Sequence, residues 1–363
     1  MKKKKLSDEH RLIFLTSKLE INNPDQEEIT GILSRSLDWD EIISSSVKQH
    51  VLPLLYYSLN RLNLLSLVPQ DISLKMKYCY YANLTKNLLI EKEIQLISKL
   101  AKNEGVRIIP LKGFSLMEDL YRNPGLRIMA DVDMFIDKND LQKTKNIFKG
   151  LFYEENTAAI EKKDDRHMAV FSKKLSSDVL LHIEIHGILA YDRPYRIIIP
   201  RLWERVEEKT TNGQAMLYLS KEDTFLSLIL HLRSHTRRLT LKFIVDIAEF
   251  LNINGDALDW NYIIEISRNN RIVSSVYLFI CIAKELLGAR VSDKIIDQIS
   301  PNIVKTKLIY MTINKHNFFT MKKWQGAFLR LLCFDRPVDF ILYLWRVCLL
   351  ERFIMPLSAR FSR

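Results

Sequence analysis

Glycine and proline are scarce in this chain of 363 residues, which holds ten of each, against usual shares of about 7% and 5%. The scarcity excludes turn-dense β architectures and favours helix. Cysteine is scarcer still. Cys79, Cys281, Cys333 and Cys348 lie far apart with no Cys-x-x-Cys pair, so neither a disulfide framework nor a thiolate metal site is expected, and a reducing cytoplasm fits. A long apolar leader is also missing. The run Leu12–Leu15 behind the N-terminal lysines is cut off by Thr16, Ser17 and Lys18, which argues against a secretion signal. The most apolar segment, Phe340 to Leu357, is interrupted by Arg346, Glu351 and Arg352, and so falls short of an uncharged membrane span of about 18 residues. It reads as a buried helix, with contact between this basic, aromatic end and a membrane surface as the alternative.

What the chain does have is apolar bulk and positive charge. Apolar residues make up 47% of it, enough for two or three domains with real cores. Lys and Arg number 54 against 43 Asp and Glu, a net charge of +11, and such a surface attracts nucleotides, RNA or acidic lipid. Part of that charge is the run Lys2–Lys5, which reads as a solvated tail.

Helical spacing dominates residues 6 to 104, from the acidic start "PDQEEI" at Pro24 to the apolar stripe Leu88, Leu89, Ile94, Leu96, Ile97, Leu100. The pattern then changes. Val106–Leu111 follows Gly105 as a short apolar run, and Leu126–Ile136 follows the turn "RNPG"; both read as buried strands, with a short helix Ser115–Tyr121 between them. Asn139 with Gln142 resembles a capping box for a helix Leu141–Lys149. Met168–Ser172 and Val179–His186 flank a turn and read as a hairpin. A capping box at Ser220 and Asp223 opens a second helical stretch, carried by "TFLSLILHLRSH", "LKFIVDIAEFL" and "SSVYLFICIAKELLG". The expected organisation is α+β: a helical region 1–104, an α/β core 105–219 and a helical domain 220–363.

Chemistry concentrates in the core. Alternate residues of a strand share a face, so Asp131 and Asp133 point the same way, about 7 Å apart. Two carboxylates so placed repel unless a cation lies between them, and magnesium, which takes hard oxygen ligands together with substrate phosphates, is the natural candidate. On the hairpin, His182, Glu184 and His186 share a face, which offers a third carboxylate. Three converging acids suit two Mg²⁺ ions and in-line phosphoryl transfer from an NTP. In "LKGFSL", a strand turns through Lys112–Gly113 into a helix N-terminus, where backbone N–H groups favour phosphate; Ser115 offers a hydroxyl, and Lys112 and Arg127 offer charge.

These motifs resemble the uncharacterised nucleotidyltransferase family of the polymerase-β-type superfamily. The resemblance is carried by Leu111–Lys112–Gly113, Tyr121, Arg127, "DVDMFI" at Asp131 and "EIH" at Glu184, and it covers most of residues 6–290. It implies a polymerase-β-like core and transfer of a nucleoside monophosphate from an NTP, such as ATP, to an acceptor hydroxyl. Asp131, Asp133 and Glu184 would form the metal triad. It leaves the acceptor open among a small molecule, a glycan or natural product, RNA and protein. Similar histidines in the family give His231 and His235 an expected role at the nucleotide or acceptor, with interdomain packing as the plain alternative. Departures stand out: the superfamily's usual Gly-Ser is Lys112–Gly113 here, the third acid is Glu, and Gly187 follows His186 where Trp is common. Two other readings compete: a fold of this kind that binds nucleotide or RNA without turnover, and a zinc hydrolase built on His182, Glu184 and His186 with Asp131 or Asp133.

Overall fold

The computed structural model describes residues 6–157, 167–189, 191–192, 195–211, 213–315 and 322–349. Five helices open the chain: α1 (Asp8–Thr16), α2 (Asn23–Leu33), α3 (Trp39–Lys48), α4 (Leu52–Arg61) and α5 (Gln70–Asn103). The first three begin where Ser7, Asn22 and Asp38 each accept the N–H of the residue three places on, satisfying a donor that a helix start leaves without a partner. At 34 residues, α5 is long enough to serve two cores. Ile72, Met76 and Tyr80 pack among the other N-terminal helices, whereas Ile90, Ile94, Ile97 and Ala101 pack under the sheet.

That sheet has five strands, β1 (Ile108–Pro110), β2 (Val132–Ile136), β3 (Glu154–Glu155), β4 (His167–Lys174) and β5 (Leu180–His186), in the spatial order β1-β2-β5-β4-β3. β1 runs antiparallel to β2, β2 parallel to β5, and β4 antiparallel to both β5 and β3. One face is apolar: Val132, Met134, Ile136, Ile183 and Ile185 are buried with the far half of α5 and with Phe148 of helix α7 (Leu141–Gly150). By strand alternation the opposite face carries Asp133, Glu184 and His186. A mixed sheet set among helices is the α+β arrangement expected.

Two ribbons follow, Tyr191–Asp192 with Tyr195–Arg196 and Glu207–Thr211 with Gln214–Tyr218. Helices then resume at Lys221–Ser234, Leu241–Asn254, Trp260–Asn269 and Val273–Leu287, the last closed by Gly288 at φ 73°, the left-handed cap that glycine adopts without strain. Apolar residues of these helices join those of α1–α4 in one continuous cluster, so the two ends of the chain share a core. No helix among the described residues is long and apolar enough to cross a membrane. The helix Pro337–Leu349 leaves Ile341, Leu342, Leu344 and Trp345 exposed and Phe340 and Tyr343 only half-buried, so the buried helix expected of this segment is not found in its described part. The lysine run Lys2–Lys5 and residues 350–363 lie outside the described residues.

Two expectations shift for identifiable reasons. β2 begins at Val132 and not at Leu126, because side chains of α5 take the carbonyls ahead of it. Asn83 donates to the carbonyls of Gly125 and Arg127, Asn87 to those of Pro124 and Arg127, and Lys86 to that of Met129. Asp137, not Asn139, accepts the N–H that starts the next turn, and α7 follows from Leu141.

The segment thus clamped carries Arg127, whose Nε and Nη2 donate to the two oxygens of Asp246 at 2.9 and 2.7 Å, while Tyr121 donates to the same carboxylate at 2.8 Å. All three are buried, and Asp246 belongs to the helix Leu241–Asn254, so this charged joint ties the core to the C-terminal helices. Removing one partner of such a pair strands the other charge in a dry interior. Asp246→Ala is therefore expected to cost about 3–5 kcal/mol of stability, read as a lowered urea midpoint with an unchanged slope.

Candidate functional site

Parallel pairing sets Asp133 of β2 directly beside Glu184 of β5 and Phe135 beside His186. The carboxylates therefore stand side by side on one face, a repulsive arrangement. It is relieved at Asp133 Oδ1, which lies 3.0 Å from Lys112 Nζ and 2.7 Å from His186 Nε2. Glu184 Oε2 is 3.9 Å from the same imidazole nitrogen. Burial alone would push the Asp133 pKa up, but Lys112 and the His186 hydrogen bond outweigh it and hold the carboxyl well below its usual range. Asp133 is an anion at neutral pH.

Ligand atoms of Asp133, Glu184 and His186 all lie within 4.8 Å of one another. Two carboxylate oxygens and an imidazole nitrogen on adjacent strands are a donor set that fits a divalent cation. The grouping departs from the expected trio in one member. Asp131 lies ahead of β2, exposed, and is not in this group; Lys86, Lys242 and Arg127 are in electrostatic reach of it. His186, expected as an accessory, is central instead. His182 shares its strand face but is exposed and outside the group, which leaves the zinc-hydrolase pattern with one of its two histidines.

Lys112 reaches Asp133 because β1 delivers it there. The Leu111 N–H donates to the Asp133 carbonyl at 2.9 Å, and the chain then turns at Lys112 with φ 50° and ψ −115°, the conformation that a type II′ turn reserves for glycine. Gly113 follows at the start of helix α6 (Gly113–Leu116), and a β-carbon there would sit 2.3 Å from Arg127 Nη1. The glycine is required by the arginine beneath it. Ser115 is buried and donates its hydroxyl to the Lys112 carbonyl at 2.9 Å, so it braces the turn. The helix expected over 115–121 is regular only to Leu116 and continues as a wide π turn, Met117–Tyr121. Arg127 lies behind this loop with two of its nitrogens given to Asp246, not displayed as a surface cation.

The histidines at the end of the helix Lys221–Ser234 also reach this place. His231 and His235 stack with centroids 4.3 Å apart, and Phe243 meets His231 edge-on at 4.9 Å. Burial, and after it Lys112 and His235, drive the His231 pKa well below its usual value, so its ring is neutral. His235 Nδ1 lies 2.9 Å from the His231 carbonyl; a carbonyl only accepts, so that nitrogen carries the proton. Composition and spacing gave no sign of Lys86 and Lys242. They hold the carbonyls of Met129 and Ile128, and only folding brings them to Asp131.

The family described as "Uncharacterised nucleotidyltransferase" matches this chain over residues 35–288, well over half of its length. No curated protein matches it.

The neutral state of His231 has a measurable consequence. Unfolded, it titrates near 6.5; folded, it stays unprotonated there, so below that pH the unfolded state binds more protons. Stability is therefore expected to fall as pH drops from 7 to 5, by at most about 1.4 kcal/mol per pH unit from this group. His231→Gln should flatten that slope in denaturation series at stepped pH.

Proposed function

The chain belongs to the uncharacterised nucleotidyltransferase family, and from that premise we propose that it transfers a nucleoside monophosphate from an NTP, such as ATP, to an acceptor hydroxyl on a polymerase-β-like core. One observation carries the reading: Asp133 and Glu184 are paired on neighbouring strands with His186 between them. Asp133, Glu184 and His186 would hold the divalent cation, Mg²⁺ in the first instance, with Asp131 adding a carboxylate from the strand entrance for a second ion. Bound there, the cation supplies charge neutralisation for a triphosphate and for the oxygens exchanged at the α-phosphorus.

The chain's own groups supply the rest. Lys112 offers an ammonium at the turn beside Asp133, positioned to pair with phosphate oxygen once it releases the carboxylate. Arg127 shapes the loop from below and adds positive potential without direct contact. Asp131, the most exposed of the three acids, accepts the acceptor's hydroxyl proton as the new bond to the α-phosphorus forms and pyrophosphate departs with the bond that breaks. His231 and His235 cover the site, His231 as a neutral ring.

Asp133→Asn keeps the shape and removes the charge. Mn²⁺ titration followed by electron paramagnetic resonance should show at least a tenfold loss of affinity, about 1.4 kcal/mol, and transfer from α-labelled NTP should vanish. Lys112→Met should act in opposite directions, tightening the cation alone, because a competing ammonium is gone, and weakening NTP. Undiminished transfer by Asp133→Asn would overturn the proposal; tight NTP or RNA binding by the unaltered protein without any transfer would instead favour a binding role.

A further inference from the structure

A cavity of about 830 Å³ lies between α5, the connection from α3 to α4, and the turn joining β4 to β5, a size suited to a small organic molecule. Its walls are mostly apolar, with Val47, Leu52, Leu89 and Val179 among them, and Tyr78 and Tyr81 leave large aromatic surfaces in solvent on the α5 side, at 76% and 50% exposure. One end is different. Lys86 and Ile128 form it, and Lys242 stands behind, donating to the Ile128 carbonyl at 3.2 Å. Neither lysine forms an ion pair with a carboxylate among the described residues; each has a backbone carbonyl as its hydrogen-bond partner. Burial lowers the pKa of both, Lys242 to about 8, so both remain largely cationic at neutral pH. The acidic wall residue, Asp178, is on the exposed β4–β5 turn at the rim, hydrogen-bonded by Ser177.

The sheet order fixes where this cavity stands relative to the chemistry. β2 lies between β1, which leads into Lys112–Gly113, and β5, whose preceding turn lines the cavity. Both approach the end of β2 at which Asp131 sits, since Leu111 bonds to Asp133 there and Val132 pairs with Ile183. Lys86 belongs to the cavity wall and is in electrostatic reach of Asp131. The turn at Lys112 therefore lies on the β1 side of Asp131 and the cavity on the β5 side.

We infer that this cavity is the acceptor site and that it takes a small amphiphilic anion: an aromatic or aliphatic body against the tyrosines and Leu89, an anionic group at Lys86 and Lys242, and a hydroxyl directed to Asp131. The inference rests on the nucleotidyl-transfer reading, so its test separates the two. The probes are 4-phenylbutyrate and its uncharged counterpart 4-phenylbutanol, titrated calorimetrically into the full chain. The carboxylate should bind one to one, at least tenfold tighter than the alcohol. Lys86→Met should abolish that preference without weakening the alcohol. Ala82→Trp, which fills the cavity from α5, should cost both probes at least tenfold, and Val179→Trp should do the same from the opposite wall. Far-ultraviolet circular dichroism and Mn²⁺·ATP titration check that each variant is folded with its metal site intact.

Equal affinity for the two probes, or binding unchanged by both tryptophan variants, would overturn the cavity assignment whatever the reaction proves to be. With α-labelled NTP and a small-molecule extract, Ala82→Trp should lose labelled product. If it keeps that product at full yield, the acceptor binds elsewhere while nucleotidyl transfer stands; if instead Asp133→Asn keeps it, nucleotidyl transfer at this site falls while the probe result stands.

Discussion

Two like charges held side by side on parallel strands must be compensated, and much of this molecule is organised around doing so. Asp133 and Glu184 are neighbours by strand register, which no side-chain rotation can undo. In the low dielectric between sheet and covering helices their repulsion is far larger than it would be in water. Lys112 and His186 supply the answer at Asp133 Oδ1. The compensation is local, and His231 beside it stays neutral chiefly because it is buried, with the same lysine opposing a further positive charge.

Holding that balance in place requires rigid backbone on both sides. On one side, Asn83, Lys86 and Asn87 of α5 take the carbonyls of the segment leading into β2, so the chain reaches Asp131 along a fixed path and not as a continued strand. On the other, Arg127 turns inward to Asp246. A fork satisfied by a carboxylate in the interior is firmly oriented, and Gly113 is packed against its remaining nitrogen. The loop that presents Lys112 is thus set by residues from the N-terminal helices and from the C-terminal helices together. This agrees with the single apolar cluster those two regions form.

Much of this was legible in the sequence where the signal is local. Alternation placed Glu184 and His186 on one face, the pattern around Asp133 gave a buried strand, and Ser220 with Asp223 marked a helix start that the structure has. What could not be read is non-local. That β2 pairs with β5 in parallel, at the register that opposes Asp133 and Glu184, depends on chain far beyond either motif. Arg127 read as a charge offered to phosphate because nothing in "GLRIMAD" reveals an aspartate 119 residues later waiting for it. The same limit hid Lys86 and Lys242, ordinary lysines on helical stretches until folding brings both to one loop.

The turn at Lys112 shows most directly what the site demands. Its φ of 50° and ψ of −115° suit glycine, and a side chain there costs on the order of 1–3 kcal/mol. A glycine at this position would avoid the strain. Here the glycine comes one residue later, where a β-carbon would collide with Arg127, and the strained position carries lysine. A strained lysine is worth keeping only for what its side chain does, and the one contact of its ammonium that bears on the site is with Asp133. The cost in backbone energy is thus offset by neutralising a carboxylate that would otherwise be buried beside another anion. On the proposed nucleotidyl-transfer reading the same ammonium would face phosphate oxygens, so one residue would stabilise the site before substrate arrives and bind the substrate afterwards.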